Sequence, residues 1–240
     1  MLRPVPEPPE DGRGDCPLGV CEGNGWVLQE DGTATPCECR ERRIGKALSR
    51  GMGTGIPKRF RGVSFDRKPI RDLDPFILRP VRAFVEGIEG NVDAGRGLWF
   101  TGDLGTGKTS LAMLVSREAE KVGKSVAVYP VTRLLAEIKD TYDSDSTGSY
   151  MQLFRRLCSV DLLHLDDLAA AAPNDWVQQT FYTVINDRYQ ENRSIVFTAD
   201  VQNPLDLRRY LGNRVFSRLM EMCGEPIQMF GEDHRLRSMG

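Results

Sequence analysis

The central stretch of the chain reads Gly102-Asp103-Leu104-Gly105-Thr106-Gly107-Lys108-Thr109. It fits the pattern G-x-x-x-x-G-K-[ST] at every specified position, and it lies between an apolar strand pattern and a helical pattern. Glycines let such a loop fold tightly, so that its backbone N–H groups point at phosphate oxygens. The sequence therefore predicts a nucleotide phosphate loop, in which Lys108 reaches the β- and γ-phosphates and Thr109 binds Mg²⁺.

Two acids follow a second apolar strand pattern. Residues 162–165 are Leu-Leu-His-Leu, and Asp166 and Asp167 come directly after them. In a phosphate-loop fold, an acid at this place binds Mg²⁺ through water. Asp166 is the candidate magnesium ligand, and Asp167 is the candidate base that orients the attacking water. The alternative is a simple helix N-cap at the end of a strand. His164 is interpreted as a packed strand residue.

Polar residues after the next strand pattern are further candidates. Asp200 or Thr198 is expected to face the γ-phosphate, although an aspartate there brings negative charge toward phosphate, and a loop-capping role is an equal alternative. Arg214 and Arg218 are four residues apart and so share one helix face. An arginine supplied by a neighbouring subunit can stabilise charge on the transferred phosphoryl group. The alternative for this pair is two exposed surface arginines.

Strand and helix patterns alternate from about residue 57 onward. Apolar strand patterns cover residues 97–101, 125–129, 161–165, 194–198 and 227–230, and helical patterns fill the intervals between them. Within them, residues 109–122 form a helix, Thr132 is a possible N-cap, and residues 143–149 form a polar loop. Strands separated by helices of this length predict an α/β fold, with a parallel sheet covered by helices on both faces.

Four of the six cysteines are grouped near the start of the chain. Cys16 and Cys21 precede a predicted hairpin, and Cys37 and Cys39 follow it. Four thiolates brought together in this way can bind a structural Zn²⁺ ion, and so short a segment needs such a support to fold. An iron–sulfur cluster and free thiols are the alternatives. The other two cysteines are expected in the helical core.

The amino-acid composition limits the classes of protein to which the chain can belong. The chain has 240 residues, with 40% hydrophobic and 28% charged residues, as in a globular protein. It has no apolar run of the roughly 18–20 residues that a membrane span needs. Residues 1–15 contain four prolines and no apolar core, so they predict a disordered leader rather than a signal peptide. These features predict a cytoplasmic protein that does not bind membranes.

Positive charge is concentrated in one segment. Residues 40–71 contain eleven lysines and arginines but only two acids, whereas the whole chain has a net charge of −2. A glycine-rich joint, residues 51–55, lies within this segment. Such a basic stretch can contact phosphates or an acidic partner, and the alternative is a solvated linker that binds nothing.

In combination, these motifs resemble the DnaC/DnaI helicase loaders and their IstB transposition-helper relatives among the AAA+ ATPases. The resemblance runs from about residue 56 to residue 235. It is carried by residues 56–66, 102–109, 162–168, 181–189, 214–219 and 231–235.

The resemblance implies an AAA+ fold without a C-terminal lid domain. It also implies that Phe60 packs by the adenine, that Arg235 lies near the nucleotide, and that the cysteine module grips the helicase. Many AAA+ proteins have glutamate at the position of Asp167 and asparagine at that of Asp200. These two departures put efficient hydrolysis in doubt.

The expected organisation is a leader (residues 1–15), a zinc module (16–43), a basic linker (44–56) and an AAA+ ATPase domain (57–240). The expected function is ATP-dependent loading of a replicative hexameric helicase onto single-stranded DNA, with self-association driven by ATP. Two alternatives stay open. One is an IstB-like transposition helper that favours duplex DNA, and the other is a weakly hydrolysing adaptor that ATP switches.

Overall fold

The structure is a computed structural model, which describes residues 16, 19–21, 23–37, 39–40, 55–143, 147–168 and 174–233. The chain divides into two compact units, Met1–Ile44 and Gly45–Gly240. The leader, Arg235 and nearly all of the predicted linker lie outside the described residues. No helix of the described ranges is long and apolar enough to cross a membrane.

The first unit contains an antiparallel hairpin. Strand β1 (Trp26–Leu28) pairs with β2 (Ala34–Pro36), with Val27 opposite Thr35. The Asp31 carboxylate accepts a hydrogen bond from the N–H of Thr33 at 2.9 Å, which closes the turn between the strands. The predicted hairpin is therefore present, and it carries one cysteine pair at each end.

The second unit alternates helices and strands in the described ranges. Its strands are β3 (Leu98–Gly102), β4 (Val126–Pro130), β5 (Leu162–Asp166), β6 (Ser194–Ala199) and β7 (Ile227–Met229). Its helices are α1 (Pro75–Glu86), α2 (Ile88–Asp93), α3 (Lys108–Lys121), α4 (Val131–Asp143), α5 (Thr147–Ser159), α6 (Asp175–Gln190), α7 (Pro204–Leu211) and α8 (Asn213–Cys223). Two 3₁₀ turns, Lys58–Phe60 and Ile70–Asp72, precede α1.

The five strands form one parallel sheet in the order β4-β5-β6-β3-β7. Phe100 of β3 pairs with Thr198 on one side and with Ile227 on the other. Strand β3 thus lies between β6 and β7, and the loop that follows it opens at the carboxyl edge of the sheet. The ends of β5 and β6 meet at the same edge. Ligands of open α/β sheets bind at such an edge.

Helices cover both faces of the sheet, as predicted. Side chains alternate between the faces of a strand, so Trp99 and Phe100 enter different cores. Trp99 joins the core formed with α4 to α8, and Phe100 joins the core formed with α1 to α3. Both side chains are fully buried.

Two local predictions are corrected by the structure. Strand β4 ends at Pro130 and α4 begins at Val131, so Thr132 lies inside the helix and is not its N-cap. Helix α5 begins at Thr147, so the polar loop predicted for residues 143–149 is shorter. Asn174 caps α6, because its side chain accepts a hydrogen bond from the N–H of Val177 at 2.9 Å.

A buried arginine ties three elements together. Arg188 of α6 is fully buried, and its guanidinium donates to the backbone carbonyls of Leu157 at 2.7 Å, Val160 at 3.0 Å and Asp161 at 3.1 Å. It also donates to the carbonyl of Ser194 at the start of β6. These bonds satisfy carbonyls that would otherwise be buried without a donor at this edge of the sheet.

Candidate nucleotide-binding site and metal centre

The loop between β3 and α3 has the backbone that phosphate binding requires. Gly105 has φ 74° and Gly107 has φ 101°, a region that residues with a Cβ rarely adopt. The Thr106 hydroxyl donates to the carbonyl of Asp103 at 2.8 Å and closes the turn. The loop ends at the N-terminus of α3, where free N–H groups and the helix dipole favour an anion.

Lys108 is held at the mouth of this loop. Its side chain is only 5% exposed, and its Nζ donates to the carbonyl of Gly102 at 3.0 Å and to that of Asp103. The same Nζ forms an ion pair with Asp200 Oδ1 at 2.7 Å. The sequence suggested a role for Asp200 near the γ-phosphate but gave no sign of this pair. A phosphate that binds Lys108 therefore has to compete with a carboxylate.

Three elements bring oxygen atoms together beside Lys108. Asp166 Oδ1 accepts a hydrogen bond from the Thr109 hydroxyl of α3 at 2.9 Å and from the Thr198 hydroxyl of β6 at 2.8 Å. Hydroxyl and carboxylate oxygens are the protein ligands that suit Mg²⁺. This donor set fits the predicted magnesium site, with Thr109 and Asp166 as the residues that would hold the ion.

Asp167 lies in a strained and acidic environment. Its φ is 59°, and its N–H donates to the Thr198 hydroxyl at 2.8 Å. Burial raises the pKa of the Asp167 carboxyl, and the charges of Asp200 and Asp166 raise it further. A raised pKa is one property of a carboxylate that accepts a proton from water.

His164 lies beneath this cluster and is fully buried, as expected for a packed strand residue. Its Nδ1 is 2.9 Å from the Ser116 hydroxyl of α3. Burial lowers the pKa of His164 to about 4, although Asp166 opposes this shift, so the imidazole is neutral near pH 7.

A cavity of about 210 Å³ opens beside Thr106 of the phosphate loop. Apolar side chains of the α1 region and of the β7 end line it, among them Leu73, Ile77 and Phe230, together with the acids Asp72, Asp74 and Glu232. Sequence reasoning did not find these residues. The only available signal was that Phe230 directly follows a strand that ends at the ligand-binding edge. Phe60, expected by the adenine, is buried in the core with Leu73 and is not among the residues that line the cavity.

The phosphate loop is tied to two other segments. The Asp103 carboxylate accepts hydrogen bonds from the Gln202 amide at 2.9 Å and from the Gly231 N–H at 3.2 Å, which lower its pKa. The Asp233 carboxylate lies against Gly105. A Cβ atom placed on Gly105 would be only 1.8 Å from Oδ1 of Asp233. The segments that follow β6 and β7 therefore both contact the loop.

The two candidate arginines of α8 differ in their surroundings. The Arg218 guanidinium lies over two rings of α6, with its carbon 5.2 Å from the centre of Tyr182 and 5.6 Å from that of Tyr189. Arg218 lowers the pKa of Tyr182. Arg218 is half-buried and Arg214 is exposed. Neither arginine hydrogen-bonds to the phosphate loop in the described part of the chain.

The four predicted cysteine ligands form one cluster in the first unit. Their sulfur atoms all lie within 4.8 Å of one another, and three of the four cysteines are buried. The Sγ atoms of Cys21 and Cys39 are 3.3 Å apart, and those of Cys16 and Cys37 are 3.9 Å apart. Tetrahedral Zn²⁺ with Zn–S bonds of ~2.3 Å places its sulfurs about 3.8 Å apart, so the four thiols fit a zinc ion.

Electrostatics also favour a bound cation at the four thiols. The neighbouring Cys21 thiol and burial raise the pKa of Cys39. Four thiolates so close together repel one another, and a bound divalent cation would offset that repulsion. The N–H of Gly25 donates to Cys21 Sγ at 3.3 Å and orients that sulfur.

Comparison with known proteins supports the same fold. The "Replicative helicase loader DnaC" of Escherichia coli strain K12 is 26% identical over 195 residues, which cover 81% of this chain and 78% of that protein. The "Crystal structure of the DnaC helicase loader" superposes with a TM-score of 0.61 at 25% identity, covering 72% of this chain and 99% of that one. The "Crystal structure of the DnaI" superposes with a TM-score of 0.59 at 24% identity, covering 75% and 94% of the two chains.

The family described as "IstB-like ATP binding protein" matches residues 70–236. The match includes the phosphate loop, the acids after β5 and the arginines of α8, and it spans well over half of the chain. This chain therefore belongs to the family of IstB-like ATP binding proteins.

Proposed function

We propose that this chain is an ATP-dependent helicase loader, which hydrolyses ATP while placing a replicative hexameric helicase on single-stranded DNA in the cytoplasm. One observation carries the proposal. The hydrogen-bonded group of Thr109, Asp166 and Thr198, with Lys108 beside it in the phosphate loop, belongs to a chain that resembles a replicative helicase loader over 81% of its length. The group has the residues needed to bind and hydrolyse ATP, and the resemblance indicates that the ATP is used for helicase loading.

Each residue of the nucleotide site has a separate role in this proposal. Lys108 would bind the β- and γ-phosphates once Asp200 releases it, and Thr109 and Asp166 would hold Mg²⁺, which neutralises phosphate charge when bound. Asp167 would orient the attacking water. The adenine would occupy the cavity next to Thr106, with Phe60 supporting it from the second layer of residues.

Completion of the site is assigned to a neighbouring copy of the chain. An arginine finger has to reach the γ-phosphate from outside, and α8 carries two candidates. Arg218 is the first by its place in the motif, although its guanidinium must leave Tyr182 and Tyr189 to act. Arg214, the second candidate, is already exposed. Either choice couples hydrolysis to self-association with ATP, and Arg235 would complete the nucleotide site.

The cysteine module is assigned to helicase capture and to one zinc ion. Leu28 is 76% exposed and Trp26 is 41% exposed on its hairpin, so the module presents apolar side chains to a partner. The proposed organisation keeps residues 1–15 as leader, 16–43 as zinc module, 44–56 as linker and 57–240 as ATPase domain.

A second candidate function is an adaptor that ATP switches but hydrolyses weakly. The ion pair between Lys108 and Asp200 favours it, because the Asp200 carboxylate occupies the ammonium group that a phosphate would bind. Asp167 also favours it, because many AAA+ proteins have glutamate at this position and aspartate is one methylene shorter. A transposition helper of the IstB kind is a third candidate function, because the matching family is described as IstB-like.

The test is a loading assay with the host's replicative helicase on circular single-stranded DNA. The wild type should capture the helicase and load it only with ATP. Lys108→Ala should lose ATP binding and loading but keep its fold. Lys121→Ala, on the exposed end of the same helix, is the matched control and should behave as wild type.

Loading with a non-hydrolysable ATP analogue at the wild-type rate would favour the adaptor. No helicase capture, together with preferential binding of duplex DNA, would refute the loader proposal and favour the transposition helper. Unchanged nucleotide affinity in Lys108→Ala would refute the role given to the phosphate loop.

A further inference from the structure

A second cleft, of about 560 Å³, lies along the outer side of α1. It shares Leu73 with the cavity beside the phosphate loop, so the two openings adjoin each other. Arg71, Arg79 and Arg82 line the cleft, and Glu86 is the only acid among its lining residues. This cleft plays no part in the nucleotide site described above.

Positive charge exceeds negative charge both in the lining of the cleft and in the segment of sequence that precedes it. Residues 58–82 contain eight lysines and arginines and three acids. Arg71 pairs with the exposed Asp72 at 3.0 Å. Arg79 and Arg82 are exposed, and neither forms an ion pair within the described residues. Unpaired arginines three residues apart on one helix face create a local field that attracts an anionic partner.

Two aromatic residues lie close to Arg79 and Arg82, although neither lines the cleft itself: Phe76 precedes Arg79 by three residues on α1, and Phe65 contacts Arg82. Phe76 is 85% exposed in the first turn of α1, where the Asp74 carboxylate fixes its backbone by accepting from its N–H at 2.8 Å. The Arg82 guanidinium lies 4.1 Å from the centre of the Phe65 ring, which orients it. A phenylalanine so exposed contributes little to the core, and a ring on a fixed backbone can stack with a flat ligand.

We propose that this cleft binds the phosphate backbone of single-stranded DNA while Phe76 stacks with a base. Arginine suits the task, because its planar fork binds phosphate oxygens in pairs. Arginines beside an exposed aromatic ring are the combination by which proteins bind single strands without sequence preference. The inference rests on the proposed function and gives it a strand-binding surface next to the nucleotide. It extends the basic stretch of residues 40–71 onto α1.

The experiment measures the anisotropy of a fluorescent oligothymidylate as the full chain is added at several salt concentrations. The double variant Arg79→Gln with Arg82→Gln should bind more weakly. Its salt slope should fall by about 1.4, which is ~0.7 for each lost phosphate contact. Arg209→Gln on α7, which replaces an arginine side chain that is 89% exposed, is the matched control and should leave the slope unchanged.

Substitutions at Phe76 separate stacking from general apolar contact. Phe76→Leu should lose about fivefold or more in affinity, the lower end of the effect of one base–aromatic stack. Phe76→Trp should retain wild-type affinity. These changes leave the Asp74 cap to the backbone intact, and unfolding curves should confirm equal stability.

Three results would overturn the inference. The first is an unchanged salt slope in the double arginine variant. The second is equal DNA affinity of Phe76→Leu and the wild type. The third is a double arginine variant that loses ATP-dependent self-association but keeps its DNA affinity. The last result would assign the cleft to a second copy of this chain. Helicase capture is measured with the same proteins, so a wild type that binds DNA through the cleft but captures no helicase refutes only the loader proposal.

Discussion

Replacing Asp200 with asparagine should tighten ATP binding. In the structure the Asp200 carboxylate occupies the Lys108 ammonium, with 2.7 Å between the two charged atoms. Asparagine keeps the size of the side chain and removes the charge. The substitution thus frees Lys108 for the γ-phosphate and removes an anion from its vicinity.

The size of the effect follows from Coulomb's law. A phosphate oxygen bound to Lys108 at ~2.8 Å would lie at most about 5.5 Å from the Asp200 carboxylate. Two unit charges at that distance repel by about 3 kcal/mol at an effective dielectric constant of ~20. Because Asp200 is 32% exposed, solvent screens part of this repulsion. We therefore expect a gain of about 1.4 kcal/mol, or tenfold tighter ATP binding. ADP lacks the γ-phosphate and should gain less.

Isothermal titration of ATP and ADP into Asp200→Asn measures the prediction directly. Asp206→Asn, which removes an exposed carboxylate of α7, is the control and should change neither affinity. Equal gains for the two nucleotides would show that Asp200 acts on the loop as a whole. Weaker ATP binding would refute the reasoning, because the carboxylate would then be a ligand of the nucleotide or its metal.

Three further outcomes are expected. Elemental analysis should find one zinc per chain, and Cys39→Ser should lose both metal and helicase capture while ATP affinity is unchanged; iron, or no metal, would contradict the zinc module. Arg218→Ala and Arg214→Ala should be mixed in turn with Lys108→Ala in an ATPase assay. The arginine variant whose mixture recovers hydrolysis identifies the finger, and no recovery from folded, associating chains would refute a finger supplied by another subunit. Arg188→Met should lower the free energy of unfolding in urea by at least about 3 kcal/mol, because several buried carbonyls lose their donor, and an unchanged midpoint would show that water replaces it.

The sequence alone was sufficient to predict the elements that depend on short-range patterns. The phosphate loop, the strand before it and the helix after it were predicted to within one residue at each end, because glycine spacing and apolar periodicity are local properties. The cysteine cluster was found in the same way, from spacing and a turn. Helices α1 and α2 were not predicted, since Pro80 lies inside one and Gly90 inside the other, and both residues normally break helices.

The missed features of the site all depend on long-range placement. The ion pair of Lys108 with Asp200 joins residues on different elements, and only the strand order brings the ends of β3 and β6 together. The packing of Arg218 against Tyr182 depends on the approach of α8 to α6. Periodicity shows which face of an element is apolar, but it does not show which element covers that face.

The hydrogen bond between Asp103 and Gln202 has a consequence for cooperativity. Gln202 comes just before α7 and α8, so the phosphate loop is joined directly to the segment that leads to the arginines proposed to act on a neighbouring copy. If nucleotide shifts this bond and thereby strengthens association by some factor, then association must strengthen nucleotide binding by the same factor, because binding free energies are reciprocal. Assembled copies would then hold ATP more tightly than free ones, and each copy that joins would favour ATP retention in the copies already present.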